Sequence, residues 1–337
     1  FSKQSYIAIK QTIELARALH ASLELIQIAP TESELRTQEL DALSKSTAQE
    51  YTIVCNSKTL TGNPFTVLTA YLEEHKPALL VLPLDENAPF KSGLFSSTPT
   101  VPKFLAGLDT PVLTVRGTQS NPDIKSIIFP FDLSYDSSEK VGASMQLAKL
   151  FSADIKIISV FKPNDEDYEN RLFPYIKQIK KMIKDMGINC SNRSIPSKTP
   201  SEAIVEYTHQ NQGDIIMVMN QKDLSLSEKM NGAAIHRIAQ LSQVPVLFLN
   251  PMKRNTNSGG GGGSGGNRRC VSGPPARGGR EGGRGSSHHR RSRQYRNDAR
   301  PRDRRTAHRA YAARRAGEDR KSTRLNSSHI TISYAVF

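Results

Sequence analysis

Apolar positions in the first part of the chain fall at Ile9, Ile13, Ala16 and Leu19, one stripe of a helix over residues 2–19, and the run Leu23–Ile28 then reads as a strand. The same pattern returns 132 residues later, where Val141, Met145, Ala148 and Phe151 stand on those four helix positions. Ser2 then falls on Ser134, Ser5 on Ser137, Leu15 on Leu147 and Ala21 on Ala153. A shift of 136 lays Pro64 on Pro200 and Tyr71 on Tyr207, each in a helix leading into an apolar strand at Ala78–Leu84 or Asp214–Met219. A shift of 134 lays Pro111-Val112-Leu113 on Pro245-Val246-Leu247. The chain therefore carries one domain-sized unit twice.

The second copy reads as strand 126–130, helix 137–151, strand 154–161, helix 166–186, a weak strand 190–194, helix 201–210, strand 214–219, helix 232–241 and strand 245–249. Strands that alternate with helices predict parallel pairing through right-handed crossovers, so the fold class is α/β with two tandem, doubly wound, Rossmann-like parallel sheets. The strand Ile124–Asp132 that opens the second copy has no counterpart before Phe1. The first copy thus lacks its opening strand, and the repeat predicts that roughly nine or ten residues ending in a partner of Asp132 would precede Phe1. The expected domains are residues 1–118, 123–253 and a separate tail, 254–337.

Charge separates the tail from the rest. Residues 1–254 hold 27 basic and 27 acidic side chains, whereas 255–337 hold 19 and 5, so the net +14 belongs entirely to the tail. Ser258–Gly266 is a Gly/Ser linker composition, and the Arg-rich run that follows has too few apolar residues to fold alone. Its Arg-Gly steps suit electrostatic, sequence-independent contact with nucleic acid. The change from Lys in the core to Arg in the tail argues instead that the tail is extraneous, and residues 320–337 look like translated adapter or vector sequence. Cys55, Cys190 and Cys270 form no close pair, which disfavours a disulfide framework or zinc ribbon and suits a reducing cytoplasm. No run is long and apolar enough for a membrane helix. His20, His75, His209 and His236 lie on four helices without an i, i+4 pair, so no metal site is expected.

Taken together, several local patterns resemble the universal stress protein family in its tandem two-domain form, over essentially all of residues 1–253. They are the strand ending Phe129-Pro130-Phe131-Asp132 with Ser134 after it, the run Phe1–Ser5 as the same opening cut short, the strand 214–219 with a loop and helix beyond, and Val244–Leu249 as a closing strand. The resemblance implies an adenine nucleotide alpha hydrolase-like sheet in the order 3-2-1-4-5 in each copy. It also implies pairing of the closing strands 111–115 and 245–249 within the chain, which would cover two apolar edges.

The same resemblance places a ligand where strand order reverses, between Asp132 and Asn220. Nucleotide-binding members carry G-x-x-G-x9-G-[ST] after the fourth strand, so that backbone N–H groups and a hydroxyl meet the phosphates. Here Asn220 and Asp223 stand at the first two glycines, the spacer is one residue short, and Ala233 follows the surviving Gly232. An acidic side chain at a phosphate position repels it. In the first copy the count back from Pro111 reaches Thr98 and then Pro99, which has no N–H. The expectation is therefore a non-catalytic, cytoplasmic stress-response or ligand-sensing module with no cofactor and an unknown protein partner. The alternative is an ATP-binding member with slow hydrolysis or self-phosphorylation, with Asp132, Asn220, Gly232 and Ala233 lining its site. Asp132, Ser134 and Ser137 also read as caps for a helix N-terminus.

Overall fold

The computed structural model describes residues 3–84, 104–105, 107–116, 123–133, 135–165, 167–220, 236–250 and 331–336. The first copy contains α1 (Lys3–Leu19), β1 (Ser22–Ala29), α2 (Thr37–Tyr51), β2 (Cys55–Thr61), α3 (Pro64–His75), β3 (Leu79–Pro83) and β4 (Val112–Val115). The second contains β5 (Ser126–Pro130), α4 (Tyr135–Phe151), β6 (Asp154–Phe161), α5 (Tyr168–Asp185), β7 (Cys190–Pro196), α6 (Pro200–Gln210), β8 (Ile215–Met219) and β9 (Val246–Leu249), with helix again at 236–241. A last strand, β10, spans Thr331–Val336.

All ten strands form one sheet in the order β2-β1-β10-β3-β4-β9-β8-β5-β6-β7. Every neighbouring pair is parallel except β4 and β9, which meet antiparallel with Val112 opposite Phe248 and Thr114 opposite Val246. Each half therefore has the doubly wound order 3-2-1-4-5, and the halves join through their closing strands. Both apolar edges are covered by this contact. The outer edges, β2 and β7, carry Asn56, Ser57 and Lys58, and Ser191, Asn192 and Arg193, polar edges that do not invite further strands.

One finding departs from the sequence expectation. Residues 331–336 lie within the stretch 254–337 that reads as a tail outside the domains, yet they form β10 in the middle of the first half of the sheet. The run Thr-Ile-Ser-Tyr-Ala-Val is rich in β-branched and aromatic residues. It pairs in parallel with β1 on one side and β3 on the other, so its backbone N–H and C=O groups are bonded along both edges. The other residues assigned to the tail are outside the described ones, as are Ser134 and the side chain of Ser137.

The central strands are buried on both faces, which is why they read as continuous apolar runs. On one face α1, α2, α4 and α5 cover Leu23, Leu25, Val81, Leu113, Ile127, Phe129, Ile155 and Met217. On the other, α3 and α6 cover Ile26, Ile28, Leu80, Val112, Ile128, Ile216, Val218 and Phe248. Helix α5 buries Ile176, Ile179 and Ile183 and leaves Lys177, Lys181 and Lys184 exposed, as its periodicity predicts.

Gly213, just before β8, is required by packing: a Cβ there would lie 2.4 Å from Cγ1 of Ile128 and 2.8 Å from Cγ2 of Thr208. Both neighbours are buried, and neither can turn outward. Gly213→Ala is expected to destabilise the protein by about 1–3 kcal/mol through overpacking. A urea midpoint equal to that of the parent chain would show that the α6–β8 turn has room to spare.

Candidate functional site

Because β5 and β8 are neighbours and the crossovers leave them in opposite directions, their carboxyl ends flank an opening in the second copy. Asp132 stands two residues beyond β5, half-buried, after Phe131 N has donated to Ile158 O at 2.8 Å. Asn220 follows β8 directly and is 1% exposed. The fold thus brings together two of the four residues expected to line a site. Gly232 and Ala233, like Asp223, lie outside the described residues, as do Thr98 and Pro99 in the first copy.

Asn220 is committed to the joint between the copies. Its backbone N–H donates to Leu249 O at 2.6 Å, and its Nδ2 donates to Leu105 O at 2.5 Å and to Asn250 Oδ1 at 2.9 Å. Asn250 Nδ2 donates in turn to Asp109 O at 2.7 Å. Two asparagines of the second copy thus bond to the backbone of the first at Leu105 and Asp109. Asn220 Oδ1 is buried without a hydrogen-bond partner among the described residues. That orphaned acceptor can take a hydrogen bond from a donor and offers nothing to a phosphate.

Sequence reasoning missed two buried groups near the end of β5. Tyr168, at the start of α5, is 9% exposed, stacks on Phe161 at 5.4 Å between ring centroids, and keeps its hydroxyl buried without a partner among the described residues. Burial, followed by the negative charge of Asp132, pushes its phenol up to about 12. Arg171 lies over the Tyr168 ring and grips both carboxylate oxygens of Asp165, at 2.6 and 2.7 Å. Lys140 of α4 is 4% exposed, with its ammonium 5.0 Å from the centre of the Phe129 ring. No spacing rule marks a lysine on a helix as buried, and only the position of α4 over β5 does so.

The first copy places different residues in step with these. Leu84 N donates to Val115 O at 2.8 Å, as Asn220 N does to Leu249 O, so an apolar side chain stands where the second copy has an amide. Counting on from β10, Phe337 is the residue in step with Asp132.

Other candidates are placed plainly. Cys55 and Cys190 open the third strand of each half, both half-buried, and burial raises both thiols above the ordinary value. They are therefore poor nucleophiles at neutral pH. Among the described residues, no three His, Cys, Asp or Glu side chains come together as a metal site, and no helix is long and apolar enough to cross a membrane. His236 packs against Phe248 rather than standing exposed on its helix, with ring centroids 5.9 Å apart. A cavity of about 850 Å³ opens at the opposite, amino-terminal end of β1, lined by Glu14, Arg17, His20, Tyr51 and Asp123 among others.

The fold is similar to that of solved universal stress proteins. A universal stress protein from Archaeoglobus fulgidus DSM 4304 aligns with a TM-score of 0.57 at 14% identity, over 72% of this chain and 91% of that one. A protein of unknown function from Pseudomonas aeruginosa PAO1 aligns with a TM-score of 0.54 at 15% identity, over 72% of this chain and 87% of that one. No protein-family profile and no curated protein matches the chain.

Proposed function

We propose that the chain is a tandem universal-stress-type module of the cytoplasm that acts by binding, without catalysis, and takes no nucleotide cofactor. The observation that carries this reading is the state of Asn220. At the position where a nucleotide-binding loop begins with glycine, the chain places a buried amide whose N–H groups are spent on Leu105 and Asn250. Among the described residues, the half-buried Asp132 carboxylate at the end of β5 is likewise an acceptor rather than a donor. Acceptors suit a ligand that brings hydroxyl or amine donors, and they repel triphosphate oxygens. The residues present do not fit ATP phosphates, and no hydrolytic step is derived through them. The half-buried thiols, pushed up by burial, are poor nucleophiles and support a role without covalent chemistry.

Calorimetric titration of ATP and AMP into the full chain tests the reading. The expected result is no heat at millimolar nucleotide with the fold intact by circular dichroism. Micromolar binding that Asp132→Ala abolishes would overturn the reading and establish the ATP-binding alternative. In that case Asp132 would contact the nucleoside rather than the phosphates.

A further inference from the structure

The cavity at the amino-terminal end of β1 has a chemistry of its own: we propose that it is a binding site for a small organic cation, an amine borne on an apolar body.

The site lies where the copies meet. Residues of the stretches 14–22 and 51–54 in the first copy line it together with Asp123 and Phe151 of the second, and its volume of about 850 Å³ is that of a small-molecule site at a domain junction. Three helices end on it. α1 stops at Leu19, α2 at Tyr51 and α4 at Phe151, and Ala18, His20, Tyr51, Thr52 and Phe151 all belong to its walls. The last carbonyls of a helix have no partner within it, and each C-terminus bears roughly half a negative charge. No helix N-terminus is among the lining residues, so the helix ends set a field of one sign.

The side chains add to that field. Glu14 and Asp123 bring two carboxylates against one guanidinium, Arg17, which is turned onto Glu14 at 3.4 Å. Asp123 makes no ion pair among the described residues. The Tyr51 phenol is held above its ordinary value by its hydrogen bond to Glu50, by burial, and by the negative charges of Glu50 and Glu14. An anion would meet carbonyl oxygens and carboxylates and be repelled. A hard divalent ion needs a cluster of oxygen ligands, and no three acidic, His or Cys side chains come together among the described residues. What fits is a single positive charge with N–H donors, which the carbonyls, the carboxylates and the Tyr51 hydroxyl accept.

The rest of the wall is apolar. Ala16, Ala18, Ala21, Ile53 and Val54 border the cavity, and Val54 is 64% exposed, so a hydrocarbon body gains by covering it. The aromatic ring of Phe151 attracts an ammonium group to its face. The fold does not demand this set. At the equivalent helix ends of the second copy, Gln146 stands in step with Glu14, Met186 with Tyr51 and Asn189 with Val54. The cavity is separate from the opening between β5 and β8, and neither reading rests on the other.

Ligand-observed NMR titration of the full chain tests the proposal, with phenethylamine as the cation and phenylpropanol as an uncharged molecule of similar size. The Arg-rich stretch beyond residue 254 has the same sign as the amine and does not compete for it. At pH 7 the amine is expected to bind about tenfold more tightly than the alcohol. Glu14→Gln and Asp123→Asn, neither of them core residues, should each weaken the amine about threefold and together about tenfold, with circular dichroism unchanged. Val54→Arg, which puts a positive charge at an exposed position on the wall, should abolish its binding. Equal affinity for amine and alcohol, no binding of the amine up to about 10 mM, or amine binding that survives all three substitutions would overturn the proposal.

Discussion

Phe248→Ala is expected to cost about 3–5 kcal/mol of stability, the range for deleting a fully buried aromatic side chain whose site cannot collapse. The site cannot collapse because Phe248 is fully buried and is held by strands on both sides, Val112 across the closing-strand contact and Val218 within its own half. Its core cluster includes Leu105, Ile216 and Ile238, so the cavity would open between the two copies rather than inside one. Loss of the ring should therefore loosen the joint as well as lower the midpoint. Urea unfolding monitored by circular dichroism is the check. A change below about 1 kcal/mol would mean that β4 and β9 are not packed as described. A broadened transition, with the first half melting ahead of the second, is the expected accompaniment, because the joint couples them.

How far the fold was legible follows from which features repeat. Strands β5 and β6 fall at 126–130 and 154–161, the bounds that periodicity predicts, because a doubly buried parallel strand has to be apolar throughout and is flanked by turn residues. Edge strand β7 was faint because an edge strand needs few apolar residues, and it runs on to Pro196, two residues beyond the expected end. The position of Asp132, two residues beyond β5, was legible because the strand ends at Pro130. Its surroundings were not. Tyr168 and Lys140 reach the end of β5 from α5 and α4, and the helix periodicity that places them does not say how deep they sit. Asn220 was assigned to a ligand opening by its place after β8, and its amide is turned to Leu105 and Asn250, a partnership set by the contact between the copies. β10 was the least legible element. Residues 331–336 have the β-branched and aromatic composition of a strand, but nothing local places that strand in the middle of the sheet, since its partners β1 and β3 lie about 250–300 residues away in sequence.

Lowering the pH from 7 to 4.5 is expected to remove about 2–2.5 kcal/mol of stability through His236 alone. Burial against Phe248 lowers its imidazole from 6.5 to about 4, and its Nδ1 finds no hydrogen-bond partner among the described residues, so nothing there stabilises the charged ring. The folded protein therefore holds His236 neutral across a range in which the unfolded chain takes up a proton. The contribution is complete above the unfolded value of about 6.5 and is lost as the pH falls from there towards 4, at up to about 1.4 kcal/mol per pH unit. Carboxylates titrate in the same window, so the measurement is a difference. Urea midpoints of the parent and of His236→Phe are compared from pH 7.5 to 4.5. The variant keeps an aromatic ring against Phe248 and has no proton to take up, so its stability should fall less steeply by the stated amount. Parallel curves would mean that the ring reaches water in solution. The two effects are coupled through the same contact: in Phe248→Ala water gains access to the imidazole, its titration should return towards 6.5, and the part of the acid sensitivity that belongs to His236 should shrink with it.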